Sequence, residues 1–320
     1  MGKWQLTDVT AAAGGPDANP GADLAGYVFA AQGTKHVLNL GGLDAHVDEL
    51  WWDINGWHTN DLTVAAGAPD PLPNNPLAGY AFNAQGTQHV LFAGRLDSHI
   101  YELWWSALEA GWQFNDLTVA AGAPTTSWGD APPIGLVGYA FESQFTQHVI
   151  YHSADHHIHE LWWNAGGWHH NDLTAATGAP PGFVLAAYAF EAQGTQHVIY
   201  TGVSDNHIHE LWWDAGGWHH NDLTVAAGAP PAIGQLWTAY PFELQGTQHV
   251  IYTASSDFDT YELWWDAGGW HFDDVTAATG VPRDGSEGRF VVGFAFEAEG
   301  TQNVFYISND LHVHELYWQP

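Results

Sequence analysis

Cysteine is absent from the 320 residues, which excludes disulfides, thiolate metal sites and a cysteine nucleophile. Positive charge is nearly absent: five Lys and Arg stand against 36 Asp and Glu, a formal net charge of −31. Nucleic acids and anionic membranes are held mainly by Lys and Arg neutralising phosphate, so neither is an expected partner. No apolar run is long enough for a membrane span or a secretory leader. The opening residues Met1 to Thr10 contain none, and Gly, Asn, Asp and His interrupt every other candidate. A soluble chain without signal peptide or membrane insertion is expected, in a compartment the residues do not name. Helical patterning is missing too, since no segment keeps a 3.6-residue apolar period over two turns. What is plentiful is glycine (36), histidine (21) and tryptophan (19), within 46% hydrophobic residues. That composition suits many short elements around a real core and argues against disorder.

The tryptophans are periodic. Glu-Leu-Trp-Trp begins at Glu49, Glu102, Glu160, Glu210 and Glu262, and returns as Glu-Leu-Tyr-Trp at Glu315, at intervals of 53, 58, 50, 52 and 53 residues. A further Trp follows each copy, at Trp57, Trp112, Trp168, Trp218 and Trp270, and leads into Asp-Leu-Thr or Asp-Val-Thr and an Ala/Gly/Pro stretch. The sixth such Trp is found at the other end of the chain, where Trp4-Gln-Leu-Thr-Asp8-Val-Thr10 matches Trp218 to Thr224.

One repeat reads as four short strands: Tyr188–Glu191, Gln196–Tyr200, His207–Trp213 and Trp218–Thr224, separated by Gly-, Asn- and Asp-rich turns. Six four-stranded units of about 53 residues, joined by Pro-containing links near 65–78, 120–136, 176–185, 226–236 and 277–290, predict an all-β fold. The expected architecture is a six-bladed β-propeller of antiparallel blades, one domain over 1–320. The N-terminal strand Trp4–Thr10 is expected to close it by pairing in the C-terminal blade.

The pattern Glu210-Leu-Trp-Trp213-Asp214-Ala-Gly-Gly217-Trp218 resembles the six-bladed fucose-binding lectins of fungal fruit bodies and related bacterial lectins. The resemblance covers all six repeats and rests on the last two strands of each. It implies sugars bound between adjacent blades by an Arg on the second strand, the Glu on the third and two Trp of the next blade. The Arg is not matched: its position in the third blade falls on Val149.

Strand alternation supports such a site independently, because Glu210 and Trp212 point to one face and Leu211 and Trp213 to the other. Where neighbouring blades confront opposite faces, Glu49 meets Trp105 and Trp112, Glu102 meets Trp163 and Trp168, and Glu160 meets Trp213 and Trp218. Likewise Glu210 meets Trp265 and Trp270, Glu262 meets Trp318 and Trp4, and Glu315 meets Trp52 and Trp57. A carboxylate beside an aromatic wall suits a neutral sugar, fucosylated or otherwise, whose hydroxyls donate and whose C–H face stacks. Blade packing is the competing role for the Trp, whereas Glu in apolar strands needs a partner.

The His pairs His157/His159, His207/His209 and His312/His314 suggest metal, but the pairing fails in the other repeats and no zinc-protease spacing occurs, so no metal or cofactor is expected. The recurring His36, His89, His148, His197 and His249 are one residue from the Arg position, which by alternation sends them to the other face; a shifted strand would instead bring them to the sugar. Glycosidase chemistry needs two unlike carboxylates about one bond, and the repeat offers the same Glu six times. A non-catalytic, multivalent glycan-binding lectin is the expected function. A protein-interaction scaffold, a glycan-processing enzyme and a His-rich metal binder stay open, as do the sugar and the oligomeric state.

Overall fold

A computed structural model describes residues 8–17, 24–41, 44–73, 76–109, 111–126, 135–279, 289–296, 301–307 and 313–318. Six antiparallel sheets follow one another, each with its strands in chain order. The first contains β1 (Ala25–Phe29), β2 (Thr34–Leu40), β3 (Val47–Asp53) and β4 (Gly56–Asp61). The second contains β5 (Ala78–Phe82), β6 (Thr87–Ala93), β7 (Ile100–Ser106) and β8 (Gln113–Asp116). The third contains β9 (Leu136–Phe141), β10 (Thr146–His152), β11 (Ile158–Asn164) and β12 (Gly167–Asp172). The fourth is β13 (Gly182–Phe190), β14 (Thr195–Gly202), β15 (Ile208–Asp214) and β16 (Gly217–Asp222). The fifth is β17 (Ala232–Phe242), β18 (Thr247–Ala254), β19 (Thr260–Asp266) and β20 (Gly269–Asp274). Three described strands form the last sheet: β21 (Arg289–Phe296), β22 (Thr301–Ile307) and β23 (Val313–Trp318).

Contacts divide the chain into two compact units, 1–149 with 161–170, and 150–160 with 171–320, and the division runs through the third sheet. In the first unit, β1 packs beside β5 and β5 beside β9. Leu38, Leu40 and Val47 of the first sheet meet Val90, Phe92 and Leu103 of the second in one apolar cluster. In the second unit, β13 packs beside β17 and β17 beside β21. There Tyr188 and Ile199 meet Val250, Tyr252 and Leu263. The β-branched and aromatic inner strands thus bury both faces, which removes their apolar surface from water.

Each described fourth strand leads into a one-turn helix that the sequence reading assigns to strand and link, α2 (Leu62–Ala66), α3 (Leu117–Ala121), α4 (Leu173–Thr177), α5 (Leu223–Ala227) and α6 (Val275–Thr279), and a similar turn, α1 (Val9–Ala13), precedes β1. The strand Trp218–Thr224 therefore stops at Asp222, whose Oδ1 accepts the Val225 N–H at 2.9 Å as an N-cap, while Gly228 at φ +71° ends the turn. Five residues are too few for a detectable period, but Asp before and Gly after are the caps such a turn needs. The same correction applies at the N-terminus. Val9 and Thr10 belong to α1, capped by Asp8, rather than to a closing strand. Trp4 and the pairing expected of it lie outside the described residues. No helix among the described residues is long and apolar enough to cross a membrane.

Candidate functional site

The Glu of each repeat sits midway along the third strand of its sheet. In the second sheet, β6 and β7 align Leu91 with Glu102 and His89 with Trp104, so His89, Glu102 and Trp104 share one face. β8 brings Asn115 opposite Glu102. The side chains then form a chain of bonds. Thr87 Oγ1 is 2.7 Å from His89 Nε2, His89 Nδ1 is 2.8 Å from Glu102 Oε1, and Asn115 Nδ2 donates to Glu102 Oε2 at 2.8 Å. The Thr87 hydroxyl also donates to Gln85 Oε1 at 3.0 Å.

The same chain recurs. In the first sheet Thr34, His36, Glu49 and Asn60 are joined at 2.7, 2.7 and 2.9 Å. In the fourth, Thr195, His197, Glu210 and Asn221 are joined at 2.8, 2.8 and 2.9 Å. In the third, Asn171 Nδ2 donates to Glu160 Oε2 at 2.7 Å. In the fifth, His249 Nδ1 reaches Glu262 Oε1 at 2.8 Å, and Asp273 stands where the others have Asn. Glu49, Glu102, Glu160 and Glu210 are each 2% exposed, which these bonds make tolerable.

This geometry corrects the sequence reading of the histidines. His36, His89, His197 and His249 lie on the Glu face and bond to it, because the register places the residue opposite Glu two positions after the His. The position matched to the family Arg belongs to the other face: Val90, the counterpart of Val149, lies opposite Leu103.

Two pockets are built on this floor in the first unit. One, about 300 Å³, brings Glu102, His89, Trp104 and Asn115 of the second sheet together with Gln147, Trp163 and Trp168 of the third. The other, about 150 Å³, brings Glu49, His36, Trp51 and Asn60 together with Gln88, Trp105 and Trp112 of the second sheet. Glu102 with Trp163 and Trp168, and Glu49 with Trp105 and Trp112, are thus neighbours. Tyr80 Oη donates to Gln147 Oε1 at 3.0 Å and Tyr27 Oη to Gln88 Oε1 at 2.9 Å, tying the sheets together below each pocket. Burial, followed by the Glu102 carboxylate, pushes the Tyr80 phenol well above its ordinary value, so it serves as a donor.

The first Trp of each pair adds a donor. The indole N–H groups of Trp51, Trp104, Trp162 and Trp212 are buried without a hydrogen-bond partner among the described residues, and Trp51 and Trp104 line the two pockets. In the fifth sheet Trp264 Nε1 instead donates to Asp273 Oδ2 at 2.9 Å. A histidine stacks on these rings, with centroid distances of 4.2 Å for Trp51–His58, 4.2 Å for Trp162–His169, 4.1 Å for Trp212–His219 and 4.1 Å for Trp264–His271. His219 in turn bonds Asp214 at 3.0 Å and holds its carboxyl below the usual range.

In the second unit Trp213, Trp218 and Trp265 are half-buried, and Trp270 packs on the cluster containing Tyr188 and Leu263. Trp318 is 44% exposed; Trp4 and the Glu315 side chain lie outside the described residues. Trp52 and Trp57 of the first unit carry Lys35 Nζ at 4.6 and 5.8 Å from their ring centroids. The paired histidines His207 and His209 bond to the outer strand of their sheet: His207 Nδ1 to Asp222 Oδ2 at 2.8 Å and His209 Nδ1 to His220 Nε2 at 3.1 Å. Sequence reasoning missed the Asn and Thr of the floor, although Asn recurs before the capping Asp in four repeats.

No protein-family model matches the chain. No curated protein matches it in sequence. Solved structures do match in fold. The fucose-specific lectin from Aleuria aurantia aligns with a TM-score of 0.61 at 16% identity, over 92% of this chain and 90% of that one. SapL1 lectin in complex with alpha methyl fucoside gives 0.58 at 19% identity, over 93% and 92%. An arginine-to-alanine mutant of AofleA from Arthrobotrys oligospora gives 0.61 at 15%, over 93% and 83%. The fold is the six-bladed β-propeller of four-stranded antiparallel blades to which the fucose lectins belong.

Proposed function

We propose that the chain is a non-catalytic, multivalent lectin that binds neutral sugars, fucosides among them, between adjacent blades. The observation that carries the reading is the composition of the Glu102 pocket. An unbonded indole N–H, a carboxylate with lone pairs to spare and two facing Trp line one cavity of about 300 Å³. A sugar complements all three: a hydroxyl oxygen accepts from Trp104 Nε1, hydroxyl protons go to Glu102, and the C–H face packs on Trp163 or Trp168. Glu102 is the one carboxylate among the described lining residues, so the pair of acids that glycosidase chemistry requires is not supplied there.

Recurrence of the floor supports several sites per chain, up to the six Glu–Trp pairings of the sequence. Repetition raises avidity for a glycan-bearing surface without new contacts. Because the family Arg is not matched in the repeat, the sugar specificity is expected to differ in strength or in kind from that of the fungal lectins. A glycan array carrying fucosylated and other neutral glycans, run beside chromogenic glycosidase substrates, tests the proposal. Binding without hydrolysis is expected. Folded protein that binds no glycan overturns it, and sugar-independent capture of one protein partner points to a scaffold.

A further inference from the structure

The first sheet departs from its neighbours at one pair of opposed residues. The second sheet has Phe92 opposite Tyr101, the fourth Tyr200 opposite His209 and the fifth Tyr252 opposite Tyr261. In each the third-strand residue reaches the Asp of the preceding loop: Tyr101 Oη donates to Asp97 at 2.8 Å, Tyr261 Oη donates to Asp257 at 3.1 Å, and His209 Nε2 is 3.3 Å from Asp205. In the third sheet Ser153 Oγ mediates, bonding both Asp155 and His159. The first sheet instead has Asn39 opposite Asp48. A carboxylate occupies the place of the donor, and the loop residue it faces is the carboxylate of Asp44.

Asp48 is 4% exposed, and its Oδ2 has no hydrogen-bond partner among the described residues. A Cβ on Gly41 would lie 2.3 Å from Asp44 Oδ1 and 2.9 Å from Asp48 Oδ2, so the two carboxylates converge beside the Gly41 backbone. Asp61 is the cross-strand partner of Asp48 on the other side. Asp44, His46 and Asp61 each offer a ligand atom within 4.8 Å of the others. Asn39 Nδ2 and Thr59 Oγ1, also buried in the first sheet, are unbonded as well. A solvated acidic loop needs nothing further. A buried carboxylate oxygen aimed into one does, because an ionised group taken out of water needs a partner to replace its hydration.

We propose that Asp44, Asp48 and Asp61, with His46 as a fourth donor, bind one divalent cation in the first sheet. Three carboxylates and one imidazole mix hard oxygen with nitrogen, a set that Mn²⁺ accepts, with Ca²⁺ favoured by the oxygens and Zn²⁺ by the imidazole. On binding, His46 Nδ1 exchanges its 2.8 Å bond to Asp61 Oδ2 for the metal. The site is independent of sugar binding, since Asp48 and Glu49 point to opposite faces of β3.

The full chain, dialysed against chelator, is titrated with Mn²⁺ while the free ion is followed by electron paramagnetic resonance. One site per chain is expected, with a dissociation constant on the order of 10⁻⁵ to 10⁻⁴ M, within the span of oxygen-rich cation sites. Replacing Asn39→Phe and Asp48→Tyr together, which installs the second-sheet pair, is expected to weaken binding at least tenfold. The nearly isosteric Asp48→Asn is expected to do the same should the double variant misfold. Asp97→Asn in the second sheet is expected to leave the site intact. The proposal is overturned if Mn²⁺, Ca²⁺ and Zn²⁺ all fail to bind up to about 1 mM, or if Asp48→Asn binds as tightly as the unaltered chain.

Discussion

The Glu102 pocket has about twice the volume of the Glu49 pocket, 300 against 150 Å³, although the two share their floor residue for residue. Thr, His, Glu and Asn are bonded alike in both, and each carries an unbonded indole N–H. The difference lies at the rim. In the first sheet His58 stacks on Trp51 and bonds Asp53 at 2.9 Å. In the second sheet the corresponding places hold Gln113 and Ser106, and Ser106 and Leu108 of the longer hairpin line the pocket. The repeat thus fixes the polar floor, while each hairpin sets the volume above it.

The largest effect is expected from removing the floor. Glu102→Ala leaves the buried His89 Nδ1 and the half-buried Asn115 amide without their carboxylate and is expected to cost about 3 kcal/mol of stability, read from the denaturant midpoint. Glu49→Ala is expected to cost a similar amount; a loss under about 0.5 kcal/mol in either would show that the floor is not structural.

Next in size is the facing wall. Trp163→Ala combined with Trp168→Ala is expected to weaken sugar binding at the Glu102 pocket roughly tenfold, while the Glu49 pocket keeps its affinity. Calorimetric stoichiometry reports this as the loss of one site, and an unchanged stoichiometry would place the sugar elsewhere. A smaller effect is expected from the rim. Ser106→Asp with Gln113→His rebuilds the first-sheet stack in the second, and it should lower affinity for a branched glycan a few-fold while sparing a monosaccharide. Equal losses for both ligands would mean that the substitutions disturb the floor.

The smallest expected effects are in pH, and the third and fourth sheets differ in sign. The hydrogen bond that His157 donates to Asp172 raises it above 6.5, so its stabilisation is present below 6.5 and fades as pH rises through the raised value. Burial lowers His209 despite Asp205 and Asp222, so its stabilisation is present above 6.5 and is lost as pH falls through the lowered value. His209→Tyr, the residue of the second and fifth sheets at that position, is expected to raise the thermal midpoint at about pH 5 relative to the unaltered chain. His157→Asn is expected to lower it there and to do little at about pH 9. Parallel shifts at both pH values would show that neither imidazole is coupled to its carboxylates.

The repeat, the sheets and the Glu–Trp neighbours at Glu49 and Glu102 were legible in the sequence because strand alternation has a period of two and needs no knowledge of contacts. Which face the His occupies was not. It depends on the register between β6 and β7, where a shift of one residue reverses every side chain. The Asn115 contribution was hidden because it follows from a second register, that of β7 with β8. The helices were illegible by periodicity and readable only from their caps. Asp48 was visible as a break in the His pairing, but its missing partner emerges only when the loop around Asp44 is placed beside it.

The pocket reading is tested most directly by the crystal structure of the complex with the sugar that the array selects. The sugar ring is expected in the Glu102 pocket, with one hydroxyl oxygen within hydrogen-bond reach of Trp104 Nε1, another hydroxyl on Glu102, and its C–H face on Trp163 or Trp168. A bound sugar that leaves this pocket and its Glu49 counterpart vacant, and sits elsewhere on the chain, would contradict the account.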